Sequence, residues 1–567
     1  MRVETPDQAA PARGARGGVR GLAARLGAWI DALSPGRGTA ALVALSLVVW
    51  ALQSLVWPVV AGRDLGTYLR YYSQMWEWDA VLPQAMLGRT PGAPLILGAT
   101  LELGGLAVEI LMAGLFVASI VAWTVAAASF DRRAAALVAG ILLLYPGYGA
   151  LFHQFSSDAL SAAGFAFWAL AAVRVCLRPS AMRFGLLGAG LVALILVRPA
   201  NQALLAFALA PLVLAGTWRE RLGRSGTFLG VAVALLVAWS GHNAIRYGDF
   251  TVARGSSIVV PFARAFTEER IVSPENGPSS RALARAVEQR LLIEEPYRSY
   301  GIDLETFFGS GSSRMLEDAA SLTDRSFGWD EDYAILREAG VEAVRAHPGT
   351  YAEGVVRTMW QLLRGPAYVV ASGSTSSSDE DRGDAPGEGE GEGETIVVAG
   401  RVLPRPSEGE PIPGSHQALW VSTPDDRIRE VWSSPTEHRL VFREPGDEAR
   451  ADHVQKEISR LTGRLPDRAG SATLGHRLNQ VAYRFPPPFL WLAVGLVALA
   501  WRRPRDGRIA LVLAGAGLLV LLASALGLPA TAEYAMPVVP AFALLAGVGL
   551  LGRRDDRRSD GDRLAPR

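Results

Sequence analysis

The chain has 567 residues, 50% of them hydrophobic, and a mean hydropathy of +0.20. Several apolar runs reach about 18 residues, enough to cross a hydrocarbon core of about 30 Å, so the composition describes a polytopic membrane protein. The formal net charge of +1 conceals a segregation of sign between loops and gives no footing for a nucleic-acid partner, while the single cysteine, Cys176, excludes a disulfide framework or a cysteine metal cluster.

In chain order, residues 1–38 form a polar arm with Arg2, Arg13, Arg16, Arg20, Arg25 and Arg37 among glycines and prolines, expected in the cytoplasm. The run Thr39–Val60 is long and further spans follow it, which argues for a retained first crossing over a cleaved signal. A first outer loop, 61–102, comes next. The remaining apolar stretches, Leu103–Phe130, Ala134–Phe152, Asp158–Cys176, Phe184–Val197, Asn201–Gly216, Thr227–Ile245, Phe489–Trp501, Ile509–Leu526 and Ala535–Gly552, bring the expected total to about ten crossings. Short cytoplasmic loops accumulate arginine and lysine. Arg132 and Arg133, Arg174 to Arg183, Arg219 to Arg224, Arg502 to Arg508 and Arg553 to Arg558 all fall on the side of the amino-terminal arm, which places both termini, including the tail 553–567, in the cytoplasm. Arg63, Arg70, Arg89 and Arg198 lie on the opposite, arginine-poor face, so orientation does not explain them.

Between the seventh and eighth spans lies a hydrophilic insert, 246–488, expected outside the cytoplasm as an α+β unit. Its first part, 246–371, is mixed: Phe250–Phe262 predicts an extended segment, Ser280–Ile293 a helix, and Asp332–Leu363 a longer helix interrupted at His347-Pro348 by the proline. Residues 372–395, built from serine, glycine and acidic residues, cannot bury enough apolar surface to order and read as a linker. In 396–488, the stretch Ile396–Phe442 alternates apolar residues between prolines and predicts short strands, and Leu474–Phe485 reads as an amphipathic helix ahead of the spans in 489–552.

The chemistry-bearing stretch is the first outer loop. It opens on Arg63-Asp64, carries Tyr68, Arg70, Tyr71, Tyr72, Trp76 and Trp78, and closes on Arg89-Thr90-Pro91-Gly92-Ala93-Pro94. The aromatics suit either packing on sugar rings or an interfacial belt. Glu109 in the second span and Asp158 at the mouth of the fourth are ionisable groups at membrane depth, where function is the default suspicion. For Asp158 a helix cap in Ser156-Ser157-Asp158 is the alternative. His153, His242 and His347 stand apart, so neither zinc nor any other cofactor is expected.

The first span, the acidic residue opening the first outer loop, the R-T-P-x-x-P entry at Arg89–Pro94, FSSDALSAAGF from Phe155, RPANQALL from Arg198 and AEYAMPVVPAFALL from Ala532 together resemble the GT-C superfamily of integral membrane glycosyltransferases, in particular its protein O-mannosyltransferase and lipid A aminoarabinose transferase-like group. The resemblance covers roughly 40–260 and 487–552. It implies a mainly α fold, and inverting transfer of a sugar from a polyprenyl-phosphate donor, drawn from the membrane lipid, to a hydroxyl of a protein, lipid or cell-envelope glycan at the outer face of a bacterial plasma membrane. Asp64 would be the general base. Relatives commonly pair Asp with Glu at this point, whereas this chain has Arg63-Asp64-Leu65. Arginine forks suit a departing phosphate, so Arg198 and Arg246 are the expected donor-phosphate ligands, with Arg63 and Arg70 beside them as ligands or as ion-pair partners of Asp64. Glu533 stands where relatives often have a basic residue. The alternatives are a transporter or lipid flippase built from multiple spans, or a non-catalytic scaffold displaying 246–488.

Overall fold

The computed structural model describes residues 35–76, 88–255, 259–328, 333–365, 395–398, 401–404, 428–433 and 438–553. The arm up to residue 34, the bulk of the acidic linker, Trp78, Asp79 and the tail beyond Arg553 lie outside the described residues. The membrane part is a helical bundle: α1 Pro35–Ser54, α2 Leu65–Gln74, α3 Gly92–Glu102, α4 Gly105–Ala128, α5 Arg132–Leu144, α6 Pro146–Leu151, α7 Ser157–Leu177, α8 Ala181–Val197, a 3₁₀ helix Pro199–Val213, and α9 Trp218–Tyr247. The insert supplies α10 Arg264–Thr267, α11 Pro278–Ala286, α12 Leu304–Gly309, α13 Ser313–Phe327, α14 Ala334–Ala346 and α15 Pro348–Arg364. Two antiparallel strand pairs follow, Thr395–Val398 with Arg401–Pro404 and Ile428–Trp432 with His438–Phe442. Then come α16 Pro445–Thr462, α17 Ala472–Arg484, α18 Pro488–Arg502, α19 Gly507–Gly527, α20 Ala532–Ala535 and α21 Val539–Leu551.

Each apolar run expected as a crossing is helical, although Ala134–Phe152 divides at Tyr145 into α5 and α6, and among the described residues six helical stretches are long and apolar enough to span by length and composition. The stretch expected at Asn201–Gly216 is helical but wound as 3₁₀, with Pro211 inside it. At about 2 Å of rise per residue, its 15 residues reach about 30 Å, so the tighter winding spans a bilayer with fewer residues than an α-helix needs. The α9 helix is the opposite case. Its 30 residues extend about 45 Å, well beyond the hydrocarbon, and carry its last turn out to the bundle mouth. Thr217 and Glu220 form a reciprocal capping box at its start. Arginine-rich turns gather at the other end of the bundle from that mouth: Arg508 donates to the Val213 carbonyl at 3.1 Å, the Arg505 amide to the Arg553 carbonyl at 2.8 Å, and Arg553 pairs with Asp131 at 3.8 Å.

The insert corrects one expectation. Among the described residues Phe250–Phe262 is not a strand: it turns through Thr251–Gly255, and Val259–Ala263 is a kinked turn with Val260 alone extended, φ −129 and ψ 118. Side chains of α9 occupy the acceptors a strand partner would need, because Trp239 donates to the Val252 carbonyl at 2.9 Å and Asn243 to the Thr251 carbonyl at 2.7 Å. The first part of the insert is thus helical among the described residues, around its own core of Phe262, Phe266, Tyr297, Phe307, Phe308 and Leu336. The helix break at His347-Pro348 falls where the proline demands it, between α14 and α15. Arg264, buried with 0% exposure, donates to the Ala525 carbonyl at 2.6 Å, and Tyr351 to the Leu526 carbonyl at 2.6 Å; both fasten the insert to the open C-terminal carbonyls of α19.

Candidate active site

A short parallel pair anchors the first outer loop. β1, Val60–Ala61, aligns with β2, Gln154–Phe155, and the Gly62 amide continues the ladder to the Phe155 carbonyl at 3.2 Å. This seats the start of α2 against the start of α7. Asp64 caps α2 in the left-handed region, φ 60 and ψ 10, a conformation acidic and amide side chains tolerate better than most and one often found at functional sites. Its side chain makes no capping bond. The carboxylate instead accepts from Arg89 Nη2 at 2.8 Å, with both side chains about a third exposed at the mouth, 36% and 35%.

Arg89 reaches Asp64 because the R-T-P-x-x-P turn is docked on the end of α8. The Thr90 hydroxyl donates to the Ile195 carbonyl at 3.3 Å, and Gly92 passes so near the Leu196 carbonyl that a Cβ there would sit 2.6 Å from its oxygen. The same helix end delivers Arg198, which follows the last turn of α8 and has only 17% of its side chain exposed. Arg198 pairs with Asp158 and lies over the Tyr534 ring at 4.9 Å. Asn201 braces the turn by donating to the Leu194 carbonyl at 3.1 Å and to Ser161 at 3.2 Å. From the far end of the sequence, α20 adds Glu533, paired with Arg63 at 3.7 Å. Tyr68 completes the floor: its hydroxyl is 2.8 Å from that of Ser157, and its ring lies 5.9 Å from the Arg89 guanidinium.

Three carboxylates and three guanidinium groups from separated segments therefore share one mouth, and their environments differ. Burial is the largest influence on Asp64 and alone would raise its pKa, but Arg89, Arg63 and Arg198 together outweigh it and hold the carboxyl below the usual carboxylate range. Glu533 goes the other way: burial dominates, the Asp64 charge adds to it, and Arg63 and Arg198 only partly oppose the rise. Two acids pushed apart in this way is the pattern by which one site keeps one group ionised and another closer to neutral.

The remaining expected residues lie elsewhere. Arg246 donates to the Met75 carbonyl at 2.8 Å and the Gln74 carbonyl at 3.5 Å, so it caps the C-terminal end of α2. Arg70 points away from Asp64 to Gln455 of α16, at 3.4 Å. Glu109 pairs with Arg468 in the segment joining α16 to α17, outside the mouth. Asp158 is not the cap of α7: Ser156 is, accepting from the Asp158 amide at 3.3 Å, which frees the carboxylate for Arg198. Ser157 and Tyr534 join the site without having been singled out in the sequence; both sit inside FSSDALSAAGF and AEYAMPVVPAFALL, the segments that carried the resemblance. Among the described residues no three His, Cys, Asp or Glu side chains converge as a metal site would require.

Residues 90–241 match the family model described as dolichyl-phosphate-mannose-protein mannosyltransferase. The resemblance read from the sequence, to membrane glycosyltransferases of this kind, is borne out by that match over those residues. Among solved structures, the chain is similar to ArnT from Cupriavidus metallidurans bound to undecaprenyl phosphate, at 15% identity and a TM-score of 0.32 over 94% of this chain and 80% of that one. It is likewise similar to ArnT of the same organism in the apo state, at 15% identity, a TM-score of 0.30 and the same coverage. No curated protein sequence matches.

Proposed function

We propose that the chain transfers a sugar from a polyprenyl-phosphate donor to an acceptor hydroxyl at the outer face of the plasma membrane, with inversion, and that Asp64 is the general base. The donor class follows the matched family's description, which names a polyprenyl-phosphate mannose. In the reaction the acceptor oxygen attacks the anomeric carbon, its proton passes to Asp64, and the bond from that carbon to the phosphate oxygen breaks with its electron pair going to the phosphate. One displacement inverts the centre. The departing lipid phosphate gains a charge, which guanidinium forks match.

The observation that carries the reading is the Asp64–Arg89 pair, held at the mouth with Arg63 and Arg198 flanking it. A carboxylate tied to arginine is a weak base at rest. A donor phosphate offers Arg89 a stronger partner, and as Arg89 turns to it Asp64 loses its main ionic restraint and becomes more basic as the substrate arrives. Arg198 is a second phosphate ligand, fixed in place by Asp158. Both termini then lie in the cytoplasm, with the mouth and 246–488 outside.

The test is transfer of radiolabel from a polyprenyl-phosphate monosaccharide by purified protein, with Asp64→Asn alongside. Label that moves to water or acceptor with wild type and not with the variant supports the assignment. Equal transfer by both removes Asp64 as the base.

A further inference from the structure

Against Arg89 is a polar notch with room for about one water molecule or one hydroxyl group. Arg89 and Tyr71 line it, and Asn243, Tyr247, Asp249, Thr251 and Arg254 close it. None of the closing residues takes part in the proposed proton transfer. The exit of α9 builds the notch: Gly248 turns the chain in the left-handed region, φ 74, and the Asn243 bond to the Thr251 carbonyl folds the exit back on the helix. Asp249 is buried and accepts from Arg254 at 3.1 Å, while Arg254, itself 2% exposed, also donates to Asp324 at 3.1 Å and lies over the Tyr333 ring. The Tyr247 hydroxyl is shielded from solvent and has no hydrogen-bond partner among the described residues.

A buried hydroxyl without a partner carries a desolvation penalty that a ligand group removes when it binds. Here it lines a hydroxyl-sized notch beside a carboxylate with further acceptor capacity, one guanidinium away from the base. We propose that this notch reads a single hydroxyl of the transferred sugar, accepted by Asp249 and bonded to the Tyr247 hydroxyl, and that these two residues set sugar specificity. The proposal rests on the glycosyl-transfer reading. Sites built to bond a substrate hydroxyl reject the analogue lacking it far more strongly than apolar pockets discriminate by size, because the site's own polar groups are left unpaired.

The experiment uses full-length protein in lipid nanodiscs. A panel of polyprenyl-phosphate monosaccharides identifies the donor, and kcat/KM is then compared between that donor and each of its monodeoxy analogues for wild type, Tyr247→Phe and Asp249→Asn. Tyr247→Phe deletes a hydroxyl that has no bond to lose among the described residues, while Asp249→Asn keeps an amide oxygen for Arg254, which also retains Asp324, and a thermal-unfolding measurement of each variant shows that it is folded before its discrimination is read. The expected result is strong discrimination by wild type against one analogue, reduced about tenfold or more in each variant, with affinity for sugar-free polyprenyl phosphate unchanged. If discrimination is the same in all three proteins, the notch holds only water and the proposal falls alone. A parallel loss of sugar-free phosphate binding also overturns it, since the variants would then be acting through Arg89. If wild type uses no sugar-loaded lipid at all, the glycosyl-transfer reading fails and the notch with it.

Discussion

Asp64 is a single side chain on which two equilibria meet, its proton and its arginine. Asp64→Asn keeps the shape and removes proton acceptance, so kcat is expected to fall about 10²- to 10⁴-fold. Affinity for sugar-free polyprenyl phosphate should rise in that variant, because Arg89 loses the carboxylate that competes for it; titration of the lipid against both proteins checks this, and weaker binding would show that Arg89 does not exchange partners. The pH dependence follows from the opposed shifts. Asp64, depressed, stays ionised until the pH drops below about 3.9, so kcat/KM, which reports the free enzyme, loses its acid limb only there. Its contribution to stability is likewise present above that value and lost as pH falls through the folded pKa. Glu533, raised, contributes in the opposite sense: its share is complete below about 4.3 and is lost as pH rises through its folded pKa. Because Glu533 is already protonated where Asp64 titrates, Glu533→Gln should leave the acid limb of the pH–rate profile in place, and a limb that moved to lower pH would mean that Glu533 is still charged there. Asp64 was legible in the sequence because a carboxylate between arginines at a span exit is conspicuous. Its partnership with Arg89 was not, since a loop's path is not encoded in the spacing of its ends, and Tyr534 and Ser157 belong to residue types common near any span end.

Among the elements, the α16 segment and the chain that follows it act as a strap over the first outer loop. Arg460 donates to both Glu102 oxygens at 2.5 and 3.0 Å, Arg464 reaches the Glu102 side chain at 3.2 Å and the Leu101 carbonyl at 3.3 Å, Arg468 holds Glu109, and the Ser471 amide bonds the Leu55 carbonyl at 3.3 Å. Glu102 is 37% exposed, so each pair contributes about 1 kcal/mol or less, but they share one carboxylate and act together. Glu102→Ala should therefore unfasten the strap, speeding amide exchange in α16 and in α2 and lowering kcat several-fold, while Glu102→Gln, which keeps one acceptor oxygen and turns the other into a donor facing an arginine, should give a smaller loss of protection. Exchange in α2 that is indifferent to Glu102→Ala would show that the strap does not steady the helix Asp64 caps. The same contacts explain what sequence reasoning made of Glu109: a carboxylate at membrane depth reads as a site when its arginine lies in a distant segment of the chain. Helices were legible because apolar runs have nowhere else to go in a bilayer. The 3₁₀ winding of Pro199–Val213 and the folded-back exit at Thr251–Gly255 were not, because packing against neighbours decides both.

Across the whole molecule, every group assembled around Asp64 comes from the same end of the bundle: the close of α1, the turn into α3, the start of α7, the close of α8, and the approach to α21. The insert packs on that end through Arg264 and Tyr351, whereas Asp131, Arg505, Arg508 and Arg553 collect at the other. We propose, from the arginine count over short loops, that the second end is the cytoplasmic one. Single cysteines in a Cys176→Ala background test this, the native thiol being buried in α7 and its replacement small. Trp76→Cys, at a position 70% exposed beside the mouth, and Glu448→Cys, on the exposed face of α16, should react with a membrane-impermeant maleimide in intact cells. Arg219→Cys, exposed at the first turn of α9, should react only once the membrane is opened. Labelling of position 219 in intact cells, with 76 and 448 protected, would invert the protein and put the mouth in the cytoplasm. A split between 76 and 448 would be more damaging, because the strap that joins them in the structure cannot form across a bilayer.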